Sequence, residues 1–401
     1  MDFPLPPILV VLAAAVAAPL VGELTLRWGL PIVVLELLAG VAIGPQGLGL
    51  AGPLEGPIPF LALYGMAFLF FLAGLEVDLS AIRGRPLALS IAGWVGALGL
   101  AIAAALVLRT AGLAQAWGIV AIALATTALG VLVPILRDTE AIHAPFGRFV
   151  MAAGAVGELG PILVMAVALT TTHTALHQTT FTVSFVVIVL GVGAALARGA
   201  KRPGVLGVLQ RTMTQSGQLP VRLALLLLAV LVALAELLGL DLALGALAAG
   251  LLVGLATHDA RSHVIRHKLD AIGFGFLVPV FFIASGMALD VDAIFRSEAG
   301  LLLVGAFLAA LLVTRLPYVL MLGRTLPGRE AVAAGFYSAT TLSLIVALTE
   351  IAVVRGLMSK AEAAPLVGAG IVSVILFPII ALALVGQHRA SHAALHDRDR
   401  L

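Results

Sequence analysis

Glu158 is the acid whose surroundings most invite chemistry. It lies in Ala155-Val156-Gly157-Glu158-Leu159-Gly160-Pro161, inside a long apolar run, with small residues before it and a Gly-Pro step behind. Small neighbours leave room for water or an ion, and Pro161 removes the donor that the Gly157 carbonyl would otherwise meet. A carboxylate at such depth is neutralised by a proton or by a monovalent cation, and can exchange one for the other. Two Thr-Thr pairs, Thr126-Thr127 and Thr340-Thr341, also sit within apolar runs. Their oxygens suit cation ligation, although a Thr hydroxyl can equally bond back to a carbonyl of its own helix. Arg315, in Thr314-Arg315-Leu316-Pro317, keeps its proton and therefore needs a carboxylate or helix C-terminal carbonyls beside it. It reads as a supporting charge for the same site.

The remaining intramembrane acids have plainer explanations. Glu23 and Glu350 fall near run ends, where a side chain reaches the interface, and Glu36 and Glu236 read as structural carboxylates bonded to neighbouring helices, with Glu36 also a candidate supporting charge beside Arg315. His143, His173, His177, His258, His263 and His267 lie in loops or at run edges. No His-acid or Ser-based pair is placed mid-run, which argues against an intramembrane enzyme, and a metal site at His258, His263 and His267 is a weak alternative.

These residues must be positioned by membrane helices. The chain has 401 residues, 61% hydrophobic and only 11% charged, with no cysteine. A mean hydropathy of +1.16 excludes a soluble domain and a disordered chain, and the missing cysteines exclude a disulfide scaffold. The net charge of +2 is small and the basic residues lie between apolar runs, so nucleic acid is not a partner. No Lys or Arg precedes Arg27, so the first run reads as a retained helix rather than a signal peptide.

A bilayer core takes roughly 20 apolar residues as helix. Thirteen spans qualify, near 7–27, 30–46, 58–77, 86–108, 116–136, 147–170, 180–198, 218–238, 241–257, 271–289, 299–322, 331–354 and 364–386. With the N-terminus outside, eighteen Lys and Arg residues fall on the inner side and four on the outer. Basic residues favour the cytoplasmic face, so count and orientation support each other.

The chain also repeats itself. Leu38-Ala39-Gly40 with Gly44 is echoed by Ala248-Ala249-Gly250 with Gly254, and Phe70-Phe71-Leu72-Ala73-Gly74 by Phe281-Phe282-Ile283-Ala284-Ser285-Gly286. The first Phe-Phe motif precedes Asp78 and Ile82 as its echo precedes Asp292 and Ile294, and Ala125-Thr126-Thr127 is echoed by Ala339-Thr340-Thr341. Partners stand seven spans apart, an odd number, so they cross in opposite directions. The expected fold is an all-α polytopic membrane protein with inverted-topology repeats, spans 2–6 and 9–13, and two crossed discontinuous helices. The counterpart of Glu158 lies near Val372-Ser373 and carries no acid.

With these residues in place, the chain resembles the bacterial monovalent cation:proton antiporters of the Nap/Kef branch. The matching pieces are Pro31-Ile-Val-Val-Leu-Glu36-Leu-Leu-Ala-Gly-Val-Ala-Ile-Gly-Pro45, Phe68-Leu-Phe-Phe-Leu-Ala-Gly-Leu-Glu76, the Ala125-Thr126-Thr127 crossover, the segment around Glu158, and Phe281-Phe282 with Gly286. The resemblance implies a homodimer in a bacterial inner membrane that exchanges Na⁺ or K⁺ for H⁺ by an elevator-like movement. It implies core helices at about 86–170 and 299–386, scaffold and dimerisation helices at about 7–77 and 180–289, and a short cytoplasmic tail at 389–401 after the membrane domain 1–388. Glu158 takes the place of the family's essential Asp, Thr126 and Thr127 match its crossover, and Arg315 stands where it has Lys or Arg.

There are departures. Gly157 precedes the single acid, where electrogenic members carry a second one, and this implies electroneutral exchange. Ser338-Ala339-Thr340-Thr341 replaces a charge pair in the second crossover. Kef-type relatives carry a nucleotide-binding regulatory domain, for which this chain shows no G-x-G-x-x-G and no room. No cofactor is expected; lipid, protons and monovalent cations are the partners. The alternative within transport is an organic-anion symporter of related fold, which calls for extra ion ligands and a roomy polar cavity.

Overall fold

The computed structural model describes residues 5–24, 31–52, 56–76, 84–128, 132, 136, 145–168, 175–200, 211–212, 217–257, 262–295 and 298–398. Arg27, Asp78, Ile82, Arg83, Arg137, His143, His173, Lys201, Arg202, His258, Arg261 and the last three tail residues lie outside them. Every regular element among the described residues is a helix. In chain order they are α1 (Leu5–Leu24), α2 (Ile32–Ile43), α3 (Ile58–Glu76), α4 (Arg85–Thr110), α5 (Trp117–Leu124), α6 (Pro145–Ala168), α7 (Ala175–Ala200), α8 (Leu219–Leu237), α9 (Leu242–Ala256) and α10 (Ser262–Ile272). After a π-turn at Gly273–Leu277 come α11 (Val278–Ala288), α12 (Val291–Phe295), α13 (Glu298–Val313), α14 (Leu316–Leu322), α15 (Gly328–Ala339), α16 (Ser343–Val354) and α17 (Lys360–Arg398).

Nine helices among the described residues are long and apolar enough to cross a bilayer, and Ile32–Ile43, Ser184–Ala195 and Leu242–Ala256 are shorter apolar helices. The protein is an all-α, multi-pass membrane protein. By contacts it divides into two compact units, one of Met1–Ala15, Leu54–Asp78 and Ile162–Ala284, the other of Val16–Pro53, Leu79–Pro161 and Ser285–Leu401.

Within each unit the glycine motifs bring two backbones together, as small residues do where lipid removes the hydrophobic drive for association. A Cβ on Gly286 would lie 3.0 Å from the Gly40 Cα and closer still to the Leu37 carbonyl. In the other unit, a Cβ on Gly74 would lie 3.2 Å from the Gly250 Cα and closer still to the Leu247 carbonyl. The same Leu-x-x-Gly register thus receives a glycine twice, once in each unit, and the four glycines are the ones that echo along the sequence.

Three helix interruptions shape the second unit. α5 stops at Leu124, its eighth residue, and residues 125–128 are non-helical. α15 stops at Ala339, and helix resumes at Ser343 in α16. The third differs from the sequence expectation of one helix through 299–322. Thr314 and Arg315 interrupt it, with Arg315 at the N-cap of α14 and Pro317 in that helix's first turn. Pro317 has no N–H for the Val313 carbonyl and its ring crowds that carbonyl, so the helix restarts there. In α6 the helix continues through Pro161.

A direct test of the close packing uses two glycines. Gly250→Ala is expected to destabilise the protein by about 1–3 kcal/mol, because the methyl must part α9 from α3. Gly305→Ala, in α13 with no atom within 4 Å of the new Cβ, is expected to be neutral or stabilising by up to about 1 kcal/mol. Thermal unfolding of the purified protein reads both, and equal midpoints for the two variants contradict the close approach.

Candidate functional site

The two interrupted helices meet at their breaks, within the second unit. The Ala128 N–H donates to the Thr340 carbonyl at 2.8 Å. The Thr127 hydroxyl donates to the Ser338 carbonyl at 2.6 Å. Thr126 Oγ1 and Thr341 Oγ1 lie 2.6 Å apart, and because Thr126 donates to the Ala123 carbonyl, Thr341 is the donor between them. Thr340 keeps the ordinary in-helix bond, its hydroxyl donating to the Phe336 carbonyl at 3.1 Å. All four threonines are fully buried. The crossing is therefore stitched by backbone and side chain together.

The acid helix is joined to it directly. The Thr127 N–H donates to the Gly157 carbonyl at 2.9 Å, the carbonyl that Pro161 leaves without its helical donor. The space beside Gly157 is occupied by Thr127: a Cβ at position 157 would lie 2.7 Å from the Thr127 Cβ and still nearer its hydroxyl. Glu158 follows on α6 and is half-buried, in contrast to the sealed threonines. Glu36, on α2, is buried at 5% exposure, and no hydrogen bond joins it to the crossing among the described residues.

Arg315 is 1% exposed and meets carbonyls. Its Nη2 donates to the Leu124 carbonyl at 3.1 Å and the Thr126 carbonyl at 2.5 Å, while Nε and Nη1 have no partner among the described residues. The Thr314 hydroxyl donates to the Leu311 carbonyl at 2.9 Å and lies 3.3 Å from the Leu124 carbonyl oxygen. The C-terminal end of a helix carries partial negative charge, and a buried cation there is held by both dipole and hydrogen bonds. At the opposite end of α5, the Glu362 carboxylate accepts the Ala116 N–H at 2.8 Å. This eight-residue helix is thus closed by an anion at its positive end and a cation at its negative end.

Three contributors were not read as bonding partners from the sequence, although Ser373 stood near the repeat counterpart of Glu158. The Trp94 indole N–H donates to the Ala125 carbonyl at 3.1 Å. Ser373 accepts the Thr341 N–H at 3.2 Å, and its Oγ lies 2.8 Å from the Thr341 carbonyl. Glu362 is the third. A lone Trp, Ser or Glu in an apolar helix carries no pattern, and each of these contacts joins residues at least 31 positions apart. Among the described residues no three His, Asp or Glu side chains gather as a metal-binding group.

Known proteins share this architecture. Residues 11–385 match the transmembrane sodium/hydrogen exchanger family. A Bacillus subtilis protein assigned by name to the Na⁺/H⁺ antiporters, YjbQ, is 28% identical over 390 residues, covering 93% of this chain and 62% of that protein. A Methanocaldococcus jannaschii protein assigned to the same class is 25% identical over 288 residues, covering 71% of this chain and 72% of the relative. This chain thus spans under two thirds of the length of the Bacillus relative. The solved structure of a sodium proton antiporter from M. jannaschii at pH 8 superposes with a TM-score of 0.68 at 18% identity, covering 95% of this chain and 99% of that one, and shows the same fold.

Arg315→Met tests the cap on α5. It leaves the buried Leu124 and Thr126 carbonyls without the guanidinium, and each orphaned acceptor is worth about 1–3 kcal/mol. A fall of roughly 2 kcal/mol or more in stability is expected from thermal unfolding, and a wild-type midpoint contradicts the cap.

Proposed function

The chain belongs to the sodium/hydrogen exchanger family, and on that premise we propose that it is a secondary antiporter exchanging Na⁺ or K⁺ for H⁺ at Glu158. The observation that carries this reading is a single half-buried carboxylate, one residue beyond a glycine whose carbonyl is bonded to the break in α5. The hydroxyl oxygens of Thr126, Thr127, Thr340 and Thr341 line the same crossing and complete the candidate site with Gly157. Relatives named as Na⁺/H⁺ antiporters support the ion class.

The mechanism follows from charge. Ionised Glu158 holds one negative charge, which one proton or one monovalent cation neutralises. At low pH the proton displaces the cation, so the apparent affinity for the cation falls as pH falls. Arg315 takes no proton in this cycle, because its guanidinium stays charged and is held by the carbonyls that end α5. Exchange is therefore electroneutral, one cation for one proton.

The wider arrangement completes the proposal. Thirteen spans with the N-terminus outside are supported by the sorting of basic residues, eighteen inside against four outside. Inverted repeats are supported by the recurring glycine register, Gly40 with Gly286 in one unit and Gly250 with Gly74 in the other. The transporter works as a homodimer in a bacterial inner membrane. Its core, about 86–170 and 299–386, moves elevator-like against the scaffold at about 7–77 and 180–289, and the C-terminal tail is cytoplasmic.

Proteoliposomes with an internal pH dye test the reading. An imposed Na⁺ or K⁺ gradient is expected to move protons in wild-type vesicles. Glu158→Gln, nearly isosteric, is expected to abolish this while keeping the wild-type unfolding midpoint; retained turnover in that variant removes Glu158 from the site. The stoichiometry is read separately. Moving one net charge is worth about 2.3 kcal/mol per 100 mV, so an electroneutral rate is expected to ignore a potassium-valinomycin potential in Na⁺ exchange. A strong response means that a second titrating group takes part.

A further inference from the structure

We propose that Trp94 is a positioning residue for Glu158: it braces the acid helix against the end of α5 and so sets how tightly the crossing holds its cation. The proposal rests on the transport reading. α4 carries Gly93-Trp94-Val95-Gly96. The two glycines admit α14 closely, since a Cβ on Gly93 would fall 2.8 Å from the Tyr318 ring and one on Gly96 would fall 2.9 Å from Pro317. Both contacts lie within three residues of Arg315.

Trp94, between those glycines, reaches two other elements. Its indole N–H holds the Ala125 carbonyl, which stands between the Leu124 and Thr126 carbonyls that Arg315 holds. Its six-membered ring lies on Gly160, where a Cβ would fall 2.5 Å from Cε2 and Cζ2. Glu158 is therefore bracketed along α6 by two glycines. Gly157 is closed against Thr127, and Gly160 is closed against Trp94; both of those residues bond to the segment where α5 ends or to its partner break. A rigid bicyclic ring with one donor at its edge fixes both the spacing of α6 and the orientation of that carbonyl. At the matching place in α13, counted from the two Thr-Thr pairs, stand Phe307 and Leu308. The indole is thus found only in the half that carries the acid.

The test is a pair of variants in the proteoliposome assay. Trp94→Phe keeps an aromatic ring and removes the N–H, and Gly160→Ala pushes a methyl into the ring. Each is expected to raise the apparent KM for the cation roughly three- to tenfold, the fold-change of one lost neutral hydrogen bond. The maximal rate is expected to stay within about twofold, and the double variant to be no worse than the worse single one, since both act through one contact. Unchanged KM values with only a lowered unfolding midpoint make Trp94 a packing residue and overturn the proposal, as do effects that multiply. Wild-type vesicles separate the two readings: exchange there with unaltered variants removes the Trp94 assignment alone, and no exchange removes the transport reading together with it.

Discussion

A helix that stops inside a bilayer leaves carbonyls and amides with no water to meet them, and the rest of the crossing is organised around that shortage of partners. The freed carbonyls of the first break are met from two elements. Arg315 takes those of Leu124 and Thr126, and Trp94 takes that of Ala125. The second break draws on the first: Thr127 and Ala128 supply donors to Ser338 and Thr340, and Ser373 lies against Thr341. The first break thus needs a cation and an indole, while the second is held by neutral groups already at the crossing. Among the described residues this asymmetry places a buried positive charge at one break only, in the half of the crossing that adjoins the acid helix.

Much of this was legible in the residues, and the limits are instructive. Thr-Thr pairs in apolar runs marked both breaks, because two adjacent β-branched hydroxyl residues suit a segment that must leave helical bonding. Pro161 announced a free carbonyl at Gly157, and the structure supplies its donor, the Thr127 N–H. Pro317 carried the same signal, yet hydropathy alone joined 299–322 into one span, since a two-residue interruption leaves mean hydropathy unchanged. The demand that Arg315 meet a carboxylate or helix-end carbonyls followed from its fixed charge, whereas the choice of carbonyls depended on α5 ending beside it. The bonds of Trp94, Ser373 and Glu362 were invisible for the same reason: they exist only once distant segments pack.

The glycine echoes have a physical origin in this packing. Gly40 and Gly250 sit three residues after Leu37 and Leu247, and each Leu carbonyl receives the bare Cα face of a glycine from a facing helix, Gly286 or Gly74. A side chain at Gly74, Gly250 or Gly286 separates the backbones. The motif therefore marks helix-helix contact, while the threonines mark the helix breaks, which is why the two kinds of echo fall on different spans.

The crossing also explains why one acid stands alone on α6. Thr127 must lie against Gly157 for its N–H to reach the carbonyl freed by Pro161 and for its hydroxyl to reach Ser338 in the second break. That approach leaves no volume for a Cβ at position 157. A second carboxylate before Glu158 would have to displace the residue that ties both breaks to the acid helix. Each carbonyl named at the two breaks accepts from a protein donor, so a cation drawing on one of them must share it with that donor. In the proposed cycle, exchange of one cation for one proton is then a steric consequence of how the crossing is stitched: the contact that closes Gly157 against Thr127 is the same contact that holds the acid count at one.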